Sequence, residues 1–309
     1  MSDAAATPGP VARLTASRSG QRTLADRLLV AVIHLGMVAF ALSIVYPFWY
    51  LLVDSFNTPE ASILDRVKLW PRDMTLENYG KVFDSGVIGT AYLNSLYKAI
   101  VGTGSILLVS FIAAFGLADR TLPGIKIITF FMIFTMFFSG GLMPTYLWYK
   151  QLGLLNSRLV WFLPALANAF YIIIMRNFFR EIPAELTESA TIDGATLTDV
   201  LFRIVVPLSA PVVATVALWA AVAHWNDWFF PLIFTPEKDK TLLQVLLRRV
   251  LVENQTSELE LFEEREVRNI TAETVKAALL FISIGPIIVV YPFIQRYFVK
   301  GIMLGAVKG

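Results

Sequence analysis

Residues 188–207, ESATIDGATLTDVLFRIVVP, lie between two strongly apolar segments of the chain. This stretch holds several charged side chains around a glycine, Gly194. Such a passage contrasts with a chain that is 56% hydrophobic and only 16% charged, because soluble domains average about 25% charged residues. The composition predicts an all-α integral membrane protein, with this stretch outside the lipid.

The composition also argues against several classes of function. The net charge of +2 at pH 7 is too small to indicate a nucleic-acid partner. The absence of cysteine excludes a disulfide framework and thiolate chemistry. The sequence has two histidines and neither an H-E-x-x-H nor a G-x-S-x-G motif. We therefore expect no enzyme, no catalytic residue and no metal site.

Six stretches are long and apolar enough to cross a bilayer, which takes about 20 residues of helix. Helices are expected because lipid cannot satisfy open backbone groups. The predicted spans are 28–53, 94–118, 127–149, 159–177, 207–235 and 276–296. They predict a six-helix transmembrane domain over residues 27–297, in the plasma (inner) membrane.

The two ends of the chain lie outside these spans. Residues 1–26 have the composition of a disordered tail, and residues 298–309 form a second tail. The apolar run after the first tail is too long for a signal peptide. Arg13, Arg18 and Arg22 precede the first span, which favours a cytoplasmic N-terminus. Six spans then place the C-terminus on the same side.

In this orientation the opening stretch is cytoplasmic, and its residues predict two short helices. Pro183 suits the start of a helix and Gly194 its end. Thr196 and Asp199 fit the capping box of a second helix. The apolar positions predicted to pack that helix on the bundle are Leu197, Leu201, Ile204 and Leu208. These residues alone leave an ordinary solvated loop equally open.

The spacing of the stretch resembles a known motif. Residues 188–190, Gly194 and residues 204–207 are similar to the EAA loop of ABC importer permeases, E-A-A-x3-G-x9-I-x-L-P. Ser189 replaces alanine and Val206 replaces leucine. In that family the loop lies between the fourth and fifth of six spans and docks on a cytoplasmic ATPase. The EAA-like loop is here residues 183–207.

The resemblance continues along the chain toward maltose-type permeases of oligosaccharide importers, and more narrowly toward the lipoprotein-dependent and alginate-type polysaccharide branch. It rests on residues 69–71 (LWP), 75–79 (TLENY), 225–227 (WND) and 301–309 (GIMLGAVKG). It implies the ABC importer type I permease fold, in which the last five helices form the common core.

The resemblance also implies partners. They are a different second permease that completes the pore, two cytoplasmic ATP-binding subunits and an extracytoplasmic solute-binding protein that delivers the oligosaccharide. This chain has no G-x-x-x-x-G-K-[ST] phosphate loop, so ATP is used by the partners and no cofactor is expected here. The implied ATPase contacts are Glu188, Ser189, Ala190, Asp193, Gly194 and Pro207 in the loop, with Gly305 and Lys308 in the tail.

A polar and aromatic cluster near the outer end of the fifth span is the candidate substrate path. Its members are His224, Trp225, Asn226 and Asp227. Ionisable groups at such depth usually face a cavity or a partner, and rings beside an amide and a carboxylate suit a polyol. An interfacial aromatic belt and packing against the second permease are the alternatives. Lys98, near the second span, is expected to extend to the membrane interface.

The alternative function is an ion-gradient-driven secondary transporter. Such a protein needs ionisable residues near the bilayer midplane and usually has an internal repeat. The predicted spans are nearly free of charge at their centres, and the sequence shows no convincing repeat. The sequence therefore favours the permease subunit of an ATP-driven sugar importer.

Overall fold

The computed structural model describes residues 24–64, 69–84, 86–251 and 274–290. These residues are mostly helical, with one isolated β-bridge between Asn57 and Met74. The chain divides into two units after Leu51. The described part of the first unit is helix α1 (Leu24–Ser55) as far as Leu51, which is apolar and buries none of its side chains.

The second unit contains the remaining helices. In chain order they are α2 (Pro59–Leu64), α3 (Glu77–Asp84), α4 (Val87–Ala118), α5 (Ile125–Phe137), α6 (Leu142–Gln151), α7 (Ala169–Phe179), α8 (Ala184–Ile192), α9 (Leu197–Leu208), α10 (Ala210–Asn226), α11 (Phe229–Phe234), α12 (Leu243–Leu251) and α13 (Thr274–Val290). Short 3-10 turns lie at Arg158–Trp161, Leu163–Ala165 and Lys238–Lys240.

Helix α4 is the centre of the second unit. Helices α7 and α10 both pack along it, and one core cluster joins Ala114 of α4 to Met175 of α7 and Val216 of α10. Small residues at the contact, such as Ala114 and Ala220, let the helix backbones approach closely, as is usual between helices in lipid. The walls of both candidate sites are built on this helix.

A second core cluster forms where the connection before α4 folds back. It joins Val82 of α3 and Ile88 of α4 to residues of α12 and α13, among them Leu246 and Leu279. The buried amide of Asn78 donates to the carbonyl oxygens of Ser55 and Asn57, both at 2.9 Å. The connection between the first two apolar helices is thus a packed structure rather than a free loop.

Two of the described helices, α1 and α4, are long and apolar enough to cross a membrane. Three bent pairs qualify only when each is counted as one span: α5 with α6 at 110°, residues 158–165 with α7 at 51°, and α9 with α10 at 78°. The described helices therefore contain up to five such spans. Helix α13 is apolar but shorter, and the end of the predicted span 276–296 lies outside the described residues.

Three predicted spans are not single helices. The prediction of one helix over 127–149 was wrong, because residues 138–141 leave the helical conformation and Gly141 has φ +83°. In 159–177 the chain makes 3-10 turns before Asn168, whose side chain accepts from the amide of Tyr171 (3.2 Å) and starts α7. In 207–235 the helix ends at Asn226, and Asp227 is extended.

Candidate functional site

Residues 183–207 fold into two helices joined by a sharp corner, which we call the EAA-like hairpin. Helix α8 begins directly after Pro183, and Gly194 has φ +84°. The corner is closed by backbone hydrogen bonds from Gly194 to Thr191 O (3.1 Å) and from Ala195 to Ala190 O (2.9 Å). The structure places the corner at Gly194, as the sequence predicts, because only glycine takes this conformation without steric cost.

The predicted capping box at the start of α9 is present. Thr196 Oγ1 accepts from the Asp199 amide (3.2 Å), while the Asp199 carboxylate accepts from the Thr196 hydroxyl (2.6 Å) and amide (3.1 Å). These hydrogen bonds, first from the side chain and then from the backbone of Thr196, lower the pKa of Asp199, because they stabilise the charged carboxylate. They fix the direction in which the second helix leaves the corner.

The predicted packing face of α9 is right at two positions and wrong at two. Leu201 packs against the core cluster and Ile204 is half-buried. Leu197 is 77% exposed and Leu208 is 46% exposed, whereas Val200 and Val205 are buried. Residues Val200–Val205 form a π-helical turn. Such a turn has a longer repeat than an α-helix, so it moves the buried positions away from the spacing of three and four residues that an α-helix requires.

Most of the predicted ATPase-contact residues of the hairpin lie on α8 and at the corner, and Pro207 lies near the end of α9. The exposed members are Glu188, Ser189, Asp193, Gly194 and Pro207. Ala190 is half-buried and packs on the core cluster of α4, α7 and α10. A hollow of about 1460 Å³ lies beside them, with Glu188 and Phe179 in its wall. The hairpin is a hydrogen-bonded corner between two helices, and most of the predicted contact residues are exposed on its surface.

Two apolar side chains at the corner were not selected from the sequence. Ile192 is 86% exposed and Leu197 is 77% exposed, one on each side of Gly194. An exposed apolar patch rimmed by polar residues marks a contact with a protein or a membrane. Their signal was available in the sequence, as apolar residues flanking a glycine corner, but the α-helical spacing assigned Leu197 to the bundle.

A second cavity, of about 530 Å³, lies where the chain leaves α10. Its aromatic wall consists of Trp161, Tyr171, Trp228, Phe229 and Phe230, and its polar groups belong to Asn168, His224, Asn226 and Asp227. Three of the four predicted path residues therefore share one cavity. Aromatic walls with a few convergent polar groups are typical of sites for small molecules.

Trp225, the fourth predicted path residue, points away from this cavity. Its indole N–H donates to Ser283 O (3.1 Å), and its ring meets Tyr92 edge-on, with centroids 5.7 Å apart. The side chain is only 5% exposed. Adjacent residues of a helix lie about 100° apart around its axis, so Trp225 packs between helices while His224 faces the cavity.

Lys98 was misplaced by the sequence analysis. Its side chain is completely buried, and Nζ forms an ion pair with Asp227 Oδ2. The expectation that Lys98 reaches the interface was wrong, because a carboxylate within contact distance offsets the cost of burying an ammonium group.

Residues 120–304 match the family of binding-protein-dependent transport system inner membrane components. The chain belongs to this family. It is 37% identical over 284 residues to the polygalacturonan/rhamnogalacturonan transport system permease protein YtcP of Bacillus subtilis (strain 168), which covers 92% of this chain and 99% of the relative. Protein LplC of the same organism is 39% identical over 268 residues, 86% of this chain and 90% of the relative.

A solved structure is also similar to this permease. It is the crystal structure of a bacterial ABC transporter involved in the import of the acidic polysaccharide alginate. One of its chains matches with a TM-score of 0.84 and 31% identity, over 91% of this permease and all of that chain. The family predicted from residues 188–207 and the ABC permease fold are thereby confirmed.

Arg180 follows α7, three residues before the EAA-like hairpin of this permease, and holds the end of α4; it was not selected from the sequence. Its Nε donates to Ala118 O (3.2 Å) and its Nη2 to Leu117 O (2.9 Å). These carbonyl groups lie at the C-terminal end of α4, where no helical amide can reach them. A cation also complements the helix dipole at this end. The end of α4 is therefore joined to the chain just before the hairpin.

The remaining predicted ATPase contacts of the permease, Gly305 and Lys308, lie outside the described residues. The same holds for the tail 298–309 and for residues 1–23 of the N-terminal tail. Residues 24–26, assigned to that tail from composition, are instead the first residues of α1.

Proposed function

We propose that this chain is the permease subunit of an ATP-driven importer of oligosaccharides or polysaccharides. The observation that carries the proposal is the EAA-like hairpin, a rigid corner at Gly194 that exposes Glu188, Ile192 and Leu197. Two similar proteins, a polygalacturonan/rhamnogalacturonan permease and a chain of an alginate importer, support a carbohydrate substrate.

The proposed topology has six crossings with both termini in the cytoplasm. The crossings are α1, α4, the pair α5–α6, residues 158–165 with α7, α10 with α11, and α13 with the residues that follow it. The corresponding domains are a tail that ends where α1 begins at Leu24, a permease domain up to residue 297 and a tail over 298–309. In this arrangement the EAA-like hairpin lies between the fourth and fifth crossings, on the cytoplasmic side.

The proposed coupling runs from the hairpin into the bundle. Ile192 and Leu197 would enter an apolar groove on an ATP-binding subunit, while Glu188 and Asp193 would meet basic groups at its rim. Closure of the two ATPases would then move the hairpin as a rigid piece. Arg180 would transmit the movement to α4, and α9 would transmit it to α10 across the 78° bend. Gly305 and Lys308 are proposed as a further ATPase contact through the tail.

The proposed substrate path is the cavity at the end of α10. His224, Asn226 and Asp227 would exchange hydrogen bonds with sugar hydroxyls, and the rings of Tyr171 and Phe229 would lie against the apolar faces of the sugar. A second permease would supply the opposite wall, and an extracytoplasmic binding protein would deliver the sugar.

The experiment is uptake into proteoliposomes that hold this chain with its permease, ATPase and binding-protein partners. The probes are labelled oligosaccharides from polygalacturonan, rhamnogalacturonan and alginate. We expect uptake to require enclosed ATP and to persist when ionophores dissipate every ion gradient. Uptake that continues without ATP and stops with ionophores would support the secondary transporter instead.

A further inference from the structure

One buried face of α4 carries three polar residues that the proposed coupling does not use. Asn94, Ser95 and Lys98 lie on adjacent turns and are 6%, 2% and 0% exposed. Buried polar groups in an apolar helix are costly unless they are paired. All three contact the same part of the chain, residues 227–243, which follow the break at the end of α10.

Each of the three residues holds a different point of that segment. The Asn94 amide donates to the carbonyl oxygens of Asp239 (2.8 Å) and Thr241 (3.2 Å). Ser95 Oγ accepts from the amide of Leu243 (2.9 Å), the first residue of α12. Lys98 holds the other end of the segment through its ion pair with Asp227.

Asp227 connects this anchor to the wall of the cavity. Its Oδ2 contacts Lys98, and its Oδ1 accepts from the amide of Phe230 (3.4 Å) in the first turn of α11. The carboxylate side chain is 26% exposed and lines the cavity. The rings of residues 228–230 follow directly and line the same cavity, so their placement depends on where Asp227 is held.

Lys98 itself is not part of the cavity wall and is completely buried. A substrate in the cavity would meet the carboxylate while the ammonium stays behind it. The pair then offers hydrogen-bond acceptors to sugar hydroxyls and adds no net charge to the path. Without Lys98 the carboxylate would lose its ion-pair partner and turn toward water in the cavity.

We propose that Lys98 is a positioning residue for the substrate path. It holds Asp227, and through Asp227 the ring wall of residues 228–230, in the geometry that receives a sugar. This inference rests on the proposed function and adds to it a residue that never touches the substrate. The alternative role for Lys98 is charge compensation alone, in which it neutralises Asp227 and does not affect the shape of the cavity.

The first measurement compares Lys98→Arg, Lys98→Met and the double variant Lys98→Met/Asp227→Asn in the reconstituted transporter, with labelled trigalacturonate as the probe. Lys98→Arg keeps the pair and should keep the KM. The double variant removes both charges, so the complex should assemble normally. Lys98→Met keeps the Asp227 carboxylate in the cavity but removes the group that holds it, so its KM should rise about tenfold at a similar maximal rate, the factor expected for one lost hydrogen bond of about 1.4 kcal/mol. The KM of the double variant should rise at least as much, because it has also lost the carboxylate.

The second measurement needs no substrate. Because the chain has no cysteine, Phe229→Cys on α11 and Ala223→Cys on α10 report two sides of the break within the same cavity. We expect Lys98→Met and the double variant to change the rate of thiol modification at Phe229→Cys several-fold, and to leave Ala223→Cys as in the parent protein. Lys98→Arg should change neither rate.

A double variant with the parent KM and the parent modification rate at Phe229→Cys would overturn the proposal, because charge compensation would then explain Lys98 fully. If the parent complex shows no ATP-driven uptake, the proposed function fails. The modification rates then still decide whether Lys98 positions the wall of the cavity.

Discussion

At the scale of single residues, two glycines have nearly the same backbone conformation but different places in the fold. Substitutions at the two positions can therefore distinguish the effect of backbone strain from the loss of a functional corner. Gly194 has φ +84° and Gly124 has φ +79°, and a Cβ added at either position meets no atom within 4 Å. A side chain at either site therefore costs a similar strain, about 1–2 kcal/mol for a left-handed residue. Gly194 forms the corner of the EAA-like hairpin, whereas Gly124 precedes α5.

We predict that Gly194→Val inserts into the membrane normally but loses uptake and binds less of the ATPase subunits. Gly124→Val carries the same kind of strain and is the matched control, which should retain the ATPases. The measurement is the amount of ATPase that co-purifies with the tagged permease. Equal loss in both variants would mean that strain alone explains the effect and that the corner is not a coupling element.

Trp225 is adjacent in sequence to the cavity residues His224 and Asn226, but its side chain packs between helices. Because its indole is buried and bonded to Ser283 O, we predict that Trp225→Ala lowers the free energy of unfolding by about 3–5 kcal/mol. Trp225→Phe should lower the free energy of unfolding by less, since phenylalanine keeps most of the side-chain volume. Melting curves of the purified complex test this. A Trp225→Ala protein of unchanged stability with an altered KM would return Trp225 to the substrate path.

At the scale of elements, the corner of the hairpin could be predicted and the packing of its second helix could not. Pro183, Gly194 and the pair Thr196–Asp199 act over one to four residues, so their chemistry is readable in sequence. The π-helical turn at Val200–Val205 depends on packing against α4 and α7, which an apolar repeat does not reveal. The breaks at 138–141 and at Asp227 did leave signals in the sequence, Ser139-Gly140-Gly141 in one and the polar residues 224–227 in the other. The long apolar runs on both sides outweighed these signals in the prediction of single spans.

Arg180 is the contact that we expect to carry movement between elements. We predict that Arg180→Ala retains ATP hydrolysis but loses most uptake, because the carbonyl groups of Leu117 and Ala118 lose their donor. Arg180→Lys should restore only part of the lost uptake, since an ammonium does not reproduce the forked geometry of a guanidinium. Arg203→Ala is the control, as that side chain is 81% exposed and forms an ion pair with its helix neighbour Asp199. Equal uptake in Arg180→Ala and Arg203→Ala would contradict this role.

At the scale of the whole molecule, the family and the EAA-like hairpin were accessible from sequence because one motif lies within 20 residues. Only part of the cavity could be predicted from the sequence. Its polar residues 224–227 are consecutive, but Lys98 and Asp227 are 129 residues apart, and no local pattern joins them. Trp161 and Tyr171 likewise reach the cavity through the packing of α7 and the 3-10 turns on α4 and α10.

The central claim is that the EAA-like hairpin contacts the ATPase on the cytoplasmic side. Ile192→Cys tests it most directly, because Ile192 is 86% exposed and the chain has no other thiol. A short thiol-directed photo-cross-linker is attached there, and at Leu76→Cys, which is 67% exposed in the predicted outer connection, as the control. We predict a covalent adduct of permease and ATPase from position 192, with a yield that changes on ATP binding, and none from position 76. An ATPase adduct from position 76, with none from position 192, would contradict both the topology and the coupling role of the hairpin.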